Sequence, residues 1–391
     1  MKKNFLIMGL LALGLGFTTT SCSDDDDDNE ITEEEAQNLD YTSENAAAWG
    51  NYAVNVAMLL SQDSQNLYDE WESDFAAAFR GQTAGSGYKS ANDCVQQIIE
   101  GCIDIANEVG TAKIGEPYDY WKAGQKNQAL YAVESWYSWH SRDDYKNNIL
   151  SIANSVLGMR LDGDPSKFNY RAVGTDSHSI IVASMQNANL LQPSIAVWRN
   201  ICAAWTAIDN IPQPFRNNIG STETEEAMEA CAALVESLET LNGLIGENLS
   251  EEDAQAIVNQ FVDEVAMPTY ADLVAKNNAL LTAVRALQAN PSNTAFSAAC
   301  AAWLAARQPW ETSEAFLFGP VSELGLDPNM DSWPLDAVGI ANLLESQKWS
   351  EMEWKGDYDE DDEAIEAAQS LRGFHTLEYL LFKNGQPRTV K

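Results

Sequence analysis

The sequence predicts an all-α protein made of two packed helical bundles of the four-helix-bundle type. Apolar residues recur at helical spacing through most of the chain, as at Tyr52, Val56, Leu59 and Leu60. The alternating patterns typical of β-strands are almost absent. Each half of the chain offers four or five segments of bundle length, separated by Gly- or Pro-containing breaks, which favours two bundles.

The predicted helices follow in order along the chain. A long helix runs from about residue 44 to residue 80, and residues 81–87 form a loop. Further helices are predicted over residues 92–109, 125–157, 179–208, 223–244, 293–310, 335–347 and 364–382. Ser250, followed by Asp253, is a capping-box-like start for another long helix. Pro268 lies inside that pattern, where we expect it to kink or split the helix.

The N-terminal segment, residues 1–22, is predicted to be a lipoprotein signal peptide. Two lysines precede an uncharged apolar stretch, residues 5–17, which is too short to span a bilayer. Cys22 follows small residues, which indicates lipidation of Cys22. An ordinary signal peptide with a spare cysteine is the alternative. Because Ser23 and not Asp follows the cysteine, we expect a lipid-anchored protein of the cell envelope at the outer membrane, on its periplasmic or surface face.

Charge separates the next segment from the folded body. An acidic run begins a solvated tether, residues 23–39. Beyond it we predict one bundle over residues 40–249 and a second over residues 250–391. The chain carries 59 acidic and 23 basic residues, a formal charge of −36 at pH 7. Such a surface repels nucleic acid, which is excluded as a partner, and favours cations.

Five cysteines follow Cys22, and all have apolar neighbours. They are Cys94, Cys102, Cys202, Cys231 and Cys300. Their odd number and surroundings favour buried thiols over a disulfide framework, although export would permit a bridge.

The last predicted helix combines ionisable groups with an apolar stripe. His375 and Glu378 lie three residues apart and therefore share a helix face. A carboxylate buried there must be paired, protonated or bound to a cation. Gly373 costs about 1 kcal/mol relative to alanine in a helix, which indicates a close neighbour or a ligand. A His–Glu pair that only closes a core is the alternative, because two groups are fewer than a structural metal needs.

These residues resemble the GxHxxE motif of the imelysin-like proteins, formed here by Gly373, His375 and Glu378. Four further stretches are similar to family motifs. They are residues 301–320, similar to ARxPYxxTEAF; residues 332–336, similar to WPLD; residues 134–138 with Asn148, similar to ESRxS…N; and residues 207–215, similar to AIxxIPxPF. In most members the GxHxxE segment comes early, whereas here it nearly ends the chain. The resemblance therefore implies a circularly permuted branch of the family.

The resemblance implies two similar bundles with a site between them, with His375 and Glu378 as metal ligands. The residues expected to bind a ligand around them are Glu134, Ser135, Ser138, Asn148, Arg307, Glu314 and Gly373. Carboxylates with one imidazole suit iron or another divalent or trivalent cation, or a small iron-bearing ligand. Arg307 is expected to pair with Glu314 or with an anionic ligand.

Two departures from the family pattern affect this site. Trp136 stands where arginine is usual, which removes a charge partner for Glu134 or Glu378. Trp310 stands where tyrosine is usual, which loses a hydroxyl but keeps an aromatic wall. His140 either approaches the site or lies on the surface.

Three functions follow from the sequence. The favoured hypothesis is a lipoprotein that binds iron at the bundle interface during uptake, with an envelope transport partner. The second is an HxxE metallopeptidase, which the family's earlier classification implies. A hydrolytic zinc site needs about three protein ligands, a water and a base, and the chain has no HExxH, so we expect no peptidase activity. The third is a surface adaptor with a structural His–Glu pair.

Overall fold

The computed structural model describes residues 31–83, 87–170 and 177–390, and these residues are almost entirely helical. The first half contains α1 Glu33–Gln37, α2 Ala46–Glu70, α3 Ala76–Gly81, α4 Ala91–Glu108, α5 Gly115–Lys122, α6 Lys126–Tyr131, α7 Ser141–Leu157, α8 Ile180–Met185, α9 Leu191–Asn210 and α10 Thr222–Asn248. The prediction of an all-α fold is confirmed.

The second half continues the helical pattern and ends in a short hairpin. It contains α11 Glu251–Phe261, α12 Met267–Ala289, α13 Asn293–Glu311, α14 Pro320–Glu323, α15 Leu326–Asp331, α16 Ala337–Ser346, α17 Glu363–Gln369 and α18 Gly373–Leu381. Strands β1 Phe382–Lys383 and β2 Gln386–Pro387 pair antiparallel, with Phe382 opposite Pro387.

The long helices pack as two groups. Helices α4, α7, α9 and α10 lie side by side in one bundle, and α2, α12, α13 and α18 form the second. Helix α7 packs on α13 and joins the bundles. The division of the chain at residues 249 and 250 stays a prediction, and α2, from the first predicted block, packs on α12.

Three π-helical segments keep long helices continuous. Trp71–Phe75 joins α2 to α3, so the predicted helix from about residue 44 to residue 80 is confirmed. Val109–Lys113 extends α4, and Val262–Ala266 joins α11 to α12. Pro268 follows this last segment in the first turn of α12. Helix α11 begins at Ser250 as predicted, with the serine hydroxyl accepting the Asp253 N–H at 3.1 Å.

Three predicted helices are wrong in their continuity. The predicted helix 179–208 is interrupted between α8, which ends at Met185, and α9, which begins at Leu191. The predicted helix 125–157 is interrupted at residues 132–140, where Ser135 and Trp139 have positive φ angles of 51° and 64°. Aromatic residues keep the helical spacing there, but Trp136 and Tyr137 stack on each other in a loop, with ring centroids 4.1 Å apart. The predicted helix 364–382 is interrupted between α17 and α18.

Gly373 causes the interruption between α17 and α18. Its φ is +92°, and a Cβ at this position would lie 2.6 Å from the Met330 carbonyl oxygen. The close neighbour expected from the sequence is therefore the backbone of α15. Its approach fixes where α18 begins.

The predicted signal peptide, Cys22 and the first part of the tether lie outside the described residues. The tether was predicted to extend to residue 39, but α1 forms within it. Thr32 and Glu35 make a complete capping box at its start, and Ala36 is buried against α16. This local capping explains why an acidic segment is helical. Among the described helices, none has both the length and the apolar character needed to cross a membrane.

The five predicted thiols are free in the structure. Cys94, Cys102, Cys231 and Cys300 are buried, and Cys202 is half-buried. Burial raises the pKa of Cys94 and of Cys231 to about 12. The prediction of buried thiols without a disulfide framework is confirmed for these residues.

Gly373→Ala is expected to lower the free energy of unfolding by about 2–4 kcal/mol, because alanine is strained at this φ and meets the Met330 carbonyl. Gly243→Ala is the matched control. Gly243 lies inside α10 with nothing within 4 Å of an added Cβ, so alanine is expected to raise the free energy of unfolding by about 0.5–1 kcal/mol. Urea denaturation of both variants measures this, and equal effects of the two substitutions contradict the account.

Candidate functional site

Buried charged side chains cluster where α7 and α13 bring the two bundles together. The elements that supply them are the loop of residues 132–140, helices α7, α13, α15 and α18, and the π segment Val109–Lys113. At the centre Arg307, Glu311, His375 and Glu378 are fully buried. Groups this deep require charged partners, so their contacts define the site.

Helix α18 presents His375 and Glu378 one turn apart. His375 Nδ1 lies 3.3 Å from Glu378 Oε2, and the other Glu378 oxygen accepts the Ser138 N–H at 2.7 Å. The His375 ring packs against Trp333, with ring centroids 4.8 Å apart. Glu378 therefore fixes the orientation of the imidazole from the Nδ1 side.

The opposite nitrogen of His375 faces two carboxylates. Nε2 lies 3.1 Å from Asp331 Oδ1 and 3.3 Å from Glu134 Oε1. Burial and the nearby Arg307 guanidinium oppose the charged imidazolium. Asp331 and the hydrogen bond to Glu134 outweigh them and raise the pKa of His375 well above its usual value.

Arg307 on α13 is the cation at the centre of the cluster. Its Nη2 lies 2.6 Å from Glu134 Oε1, and its guanidinium also pairs with Glu311 and Asp331. Nε lies 3.6 Å from Asp144 Oδ2 on α7. The expected pairing with Glu314 is thus corrected, because Glu311, one helical turn beyond Arg307, takes that place.

The cations lower the pKa values of the two carboxylates nearest to them. Burial alone would raise the pKa of Glu134, but the Lys113 ammonium and the hydrogen bond with His375 lower it to about 2. Burial opposes ionisation of Asp331 as well, and Arg307 and His375 hold its pKa well below its usual range. Both groups are ionised at neutral pH.

Lys113 is a second cation in the cluster. Its Nζ lies 3.1 Å from Glu134 Oε2 and 3.6 Å from Glu108 Oε1. Burial would lower the pKa of Lys113, but the carboxylates of Glu134 and Glu314 raise it well above its usual value. The ammonium stays charged in the site.

Burial favours the neutral form of two other carboxyl groups. Burial raises the pKa of Glu311 well above its usual value, although Arg307 opposes the shift. Burial does the same to Glu314, although Lys113 opposes it. Glu314 is 7% exposed, and its carboxyl makes no hydrogen bond or ion pair with any residue in the described part of the chain.

Two overlapping groups of donor atoms could hold a cation. The first comprises Glu134, Asp331 and His375, and the second comprises Glu311, Glu314 and Asp331. In each group the donor atoms all lie within 4.8 Å of one another. Asp331 belongs to both, so the two groups are adjacent.

The remaining residues singled out from the sequence surround this cluster. Asn148 on α7 donates its amide to Glu311, which links the bundles. Ser138 contributes its backbone N–H to Glu378. The Ser135 carbonyl oxygen accepts a hydrogen bond from the Ser138 hydroxyl within the loop. The buried Ser135 hydroxyl has no hydrogen-bond partner in the described residues. Gly373 acts through the close approach of its backbone to Met330.

Sequence reasoning missed Asp331, Glu311 and Lys113. Glu311 carried a signal, since it follows Arg307 at i+4 on a helix. Asp331 and Lys113 carried none, because their position depends on the packing of α15 and on a π segment. His140 is half-buried and holds Asp144 through Nδ1 at 2.7 Å, so it reaches the cluster indirectly.

The two family departures are compensated. Trp136 stacks under Arg216, 4.1 Å from guanidinium carbon to ring centroid, while Lys113 and Arg307 serve as cationic partners of Glu134. The Trp310 indole N–H donates to Asp331 Oδ2 at 2.6 Å. An indole donor therefore stands where the family hydroxyl is lost.

Comparisons with known proteins show the family and the fold of this chain. The profile of the imelysin peptidase family matches residues 24–241 and 266–390. A crystal structure of an imelysin peptidase from Bacteroides ovatus superimposes with a TM-score of 0.84 at 50% sequence identity, and covers 91% of this chain and 100% of that one. The predicted circular permutation stays a prediction.

Two further relatives carry the name of an iron-regulated protein. Iron-regulated protein A of Synechococcus elongatus is 34% identical over 130 residues, which are 33% of this chain and 32% of that protein. The match therefore spans about a third of that relative's length. A structure of a putative iron-regulated protein A precursor from Parabacteroides distasonis is 33% identical over 42% of this chain and 44% of that one, with a TM-score of 0.35.

Arg307→Met is expected to lower the free energy of unfolding by about 3–5 kcal/mol at neutral pH, because it leaves buried carboxylates without their cation. Arg307 lowers the pKa of Glu134 and of Asp331, and such carboxylates contribute stability that is lost as the pH falls. The difference in the free energy of unfolding between wild type and Arg307→Met is therefore expected to become smaller as the pH falls from about pH 5 to pH 2.

Lys122→Met is the control for that measurement. Lys122 is 55% exposed and pairs with Glu225 on the surface, so its loss is expected to cost at most about 1 kcal/mol. Urea denaturation at several pH values compares the variants. An effect of Arg307→Met as small as that of Lys122→Met would show that the buried network does not hold the bundles together.

Proposed function

We propose, since this chain belongs to the imelysin family, that it binds iron or another hard cation at the contact between its two bundles and serves iron uptake. One observation carries the proposal. Glu134, Asp331 and His375 place their donor atoms within 4.8 Å of one another in a buried site. Two carboxylates and one imidazole converge here, and a cation bound by them would share the carboxylates with Arg307, which pairs with both.

The donor chemistry suits iron. Carboxylate oxygens are hard ligands and imidazole suits iron among other metals, so the set fits Fe²⁺ or Fe³⁺ better than a soft cation. His375 would coordinate through Nε2, once that nitrogen has lost its proton. Glu378 would orient the ring through Nδ1, as carboxylates do behind metal-bound histidines, and would not itself contact the ion.

Burial favours a small cargo over a peptide. His375, Glu378, Arg307 and Glu311 have no exposed surface, so a polypeptide cannot reach them without separating the bundles. A dehydrated ion needs far less space. The family name and the name of the Bacteroides ovatus protein denote a peptidase. For this chain, binding is supported better than hydrolysis.

Uptake and location are further parts of the proposal. A role in iron uptake is supported by the imelysin family and by the name of the Synechococcus relative. We place the protein in the cell envelope, anchored by lipid on Cys22, where it would pass a cation or a small iron-bearing ligand to a transport partner. Lipidation, the outer membrane and the partner belong to this proposal.

Titration calorimetry of the whole protein with Mn²⁺, a redox-stable hard cation, and with Fe²⁺ without oxygen tests the site. His375→Gln is expected to weaken binding by roughly a hundredfold or more, because it removes a ligand. Glu378→Gln is expected to weaken it about 10–100-fold, because it removes the orienting partner.

His178→Gln is the control, since His178 is exposed and belongs to neither donor group. It is expected to bind like wild type. Equally weak binding by wild type and His375→Gln would contradict the proposal. Reduced stability of His375→Gln without any change in cation response would instead favour a structural His–Glu pair.

Cation affinity is expected to fall as the pH is lowered from about pH 8 to pH 6. The pKa of His375 is raised well above its usual value by Asp331 and Glu134, so a cation that binds Nε2 competes with a proton and releases it. One released proton changes the affinity about tenfold per pH unit. Calorimetry in buffers of different ionisation enthalpy counts the protons released. An affinity that does not change with pH in this window contradicts coordination by His375.

A further inference from the structure

Lys113 places a positive charge beside Glu134, a carboxylate that would bind the cargo cation. Its ammonium lies 3.1 Å from Glu134 Oε2, and Glu134 belongs to the candidate donor group with Asp331 and His375. A second cation bound by Glu134 would face the Lys113 charge at short range. The two charges repel each other, so Lys113 competes with the cargo for this carboxylate.

A row of ion pairs leads from the surface to Glu134 through Lys113. The Glu108 side chain is 44% exposed, that of Lys113 is 9% exposed, and that of Glu134 is 6% exposed. Arg307 and His375 beyond Glu134 are fully buried. The lysine ammonium therefore stands between an exposed carboxylate and the buried donors.

The backbone of Lys113 is held in place while its side chain has two acceptors. The Tyr145 hydroxyl donates to the Lys113 carbonyl oxygen at 3.1 Å. Within the same π segment, a Cβ added at Gly110 would lie 2.8 Å from Cys231 Cβ, so the segment fits tightly against α10. The Lys113 Nζ already lies 3.6 Å from Glu108 Oε1, and a small rotation of the side chain can complete that pair.

We propose that Lys113 is a movable ammonium gate of the cation site. An incoming cation displaces the ammonium from Glu134, and Lys113 then pairs with the more exposed Glu108. The lysine keeps a partner in both positions, so the exchange leaves no charge unpaired. A multivalent cation wins the exchange for Glu134 because its attraction to the carboxylate is larger, whereas Na⁺ or K⁺ carries no more charge than the ammonium. This inference rests on the proposed function. It adds how a cation reaches Glu134 and why the site would prefer multivalent over monovalent cations.

Amine labelling of the whole protein tests the movement. An N-hydroxysuccinimide acetate reagent is applied with and without saturating Mn²⁺, and mass spectrometry follows acetylation of each lysine. Lys113 is expected to label slowly without Mn²⁺ and at least about fivefold faster with it, because it moves toward an exposed position. Lys122, which is 55% exposed, is the internal control and is expected to label equally in both states.

Binding kinetics of Lys113→Met test the competition independently. Removal of the ammonium is expected to increase the Mn²⁺ association rate and the affinity, each by roughly tenfold or more, and to make Mn²⁺ binding more sensitive to added KCl. Lys113→Arg keeps the charge and is expected to stay near wild type in KCl sensitivity. A lysine that only supports the fold predicts the opposite for Lys113→Met, namely weaker and not faster binding.

The outcomes separate this inference from the proposed function. Mn²⁺ binding by wild type with unchanged Lys113 labelling, or with weaker binding by Lys113→Met, overturns the gate and leaves the cation site intact. Absence of Mn²⁺ and Fe²⁺ binding by wild type overturns both. Faster labelling of Lys113 together with tighter binding by Lys113→Met supports the gate.

Discussion

The fully buried guanidinium of Arg307 is the interaction on which the bundle interface depends. It lies on α13 of one bundle, 3.6 Å from Asp144 on α7 of the other, and it also pairs with Glu134 of the interrupting loop and Asp331 of α15. Each of these carboxylates comes from a different element, and without a shared cation they would repel one another. One side chain therefore sets the relative positions of four elements, and the fold tolerates a polar centre because the charges are matched.

Charge matching also explains how so acidic a site can be buried. Arg307, Lys113 and His375 supply positive charge, and burial raises the pKa values of Glu311 and Glu314 well above their usual range. These groups therefore offset part of the negative charge of the site. Under the proposed function, a cation would bind there by displacing protons and the Lys113 ammonium.

The sequence predicted the helical class, the long helices and the GxHxxE residues because these depend on local spacing. Ser250 and Gly373 were informative for the same reason, since the role of a helix cap or of a glycine depends on the local backbone conformation. The interruption at residues 132–140 was not predictable, because Trp136 and Tyr137 satisfy a helical pattern and only tertiary packing places them in a loop. Asp331 and Lys113 reach the site through contacts between distant elements, which spacing cannot show.

The buried thiols have a consequence for the proposed binding of a redox-active metal. With a pKa raised to about 12, Cys94 and Cys231 are thiolate in only about one molecule in 10⁵ at neutral pH. The thiolate is the form that reacts with peroxide and captures soft metals, so these side chains are poor targets for both. Their burial would protect the core from oxidants generated by iron in an oxidising compartment. It would also leave coordination to the carboxylates and imidazole, so that the choice of metal rests with oxygen and nitrogen ligands and not with sulfur.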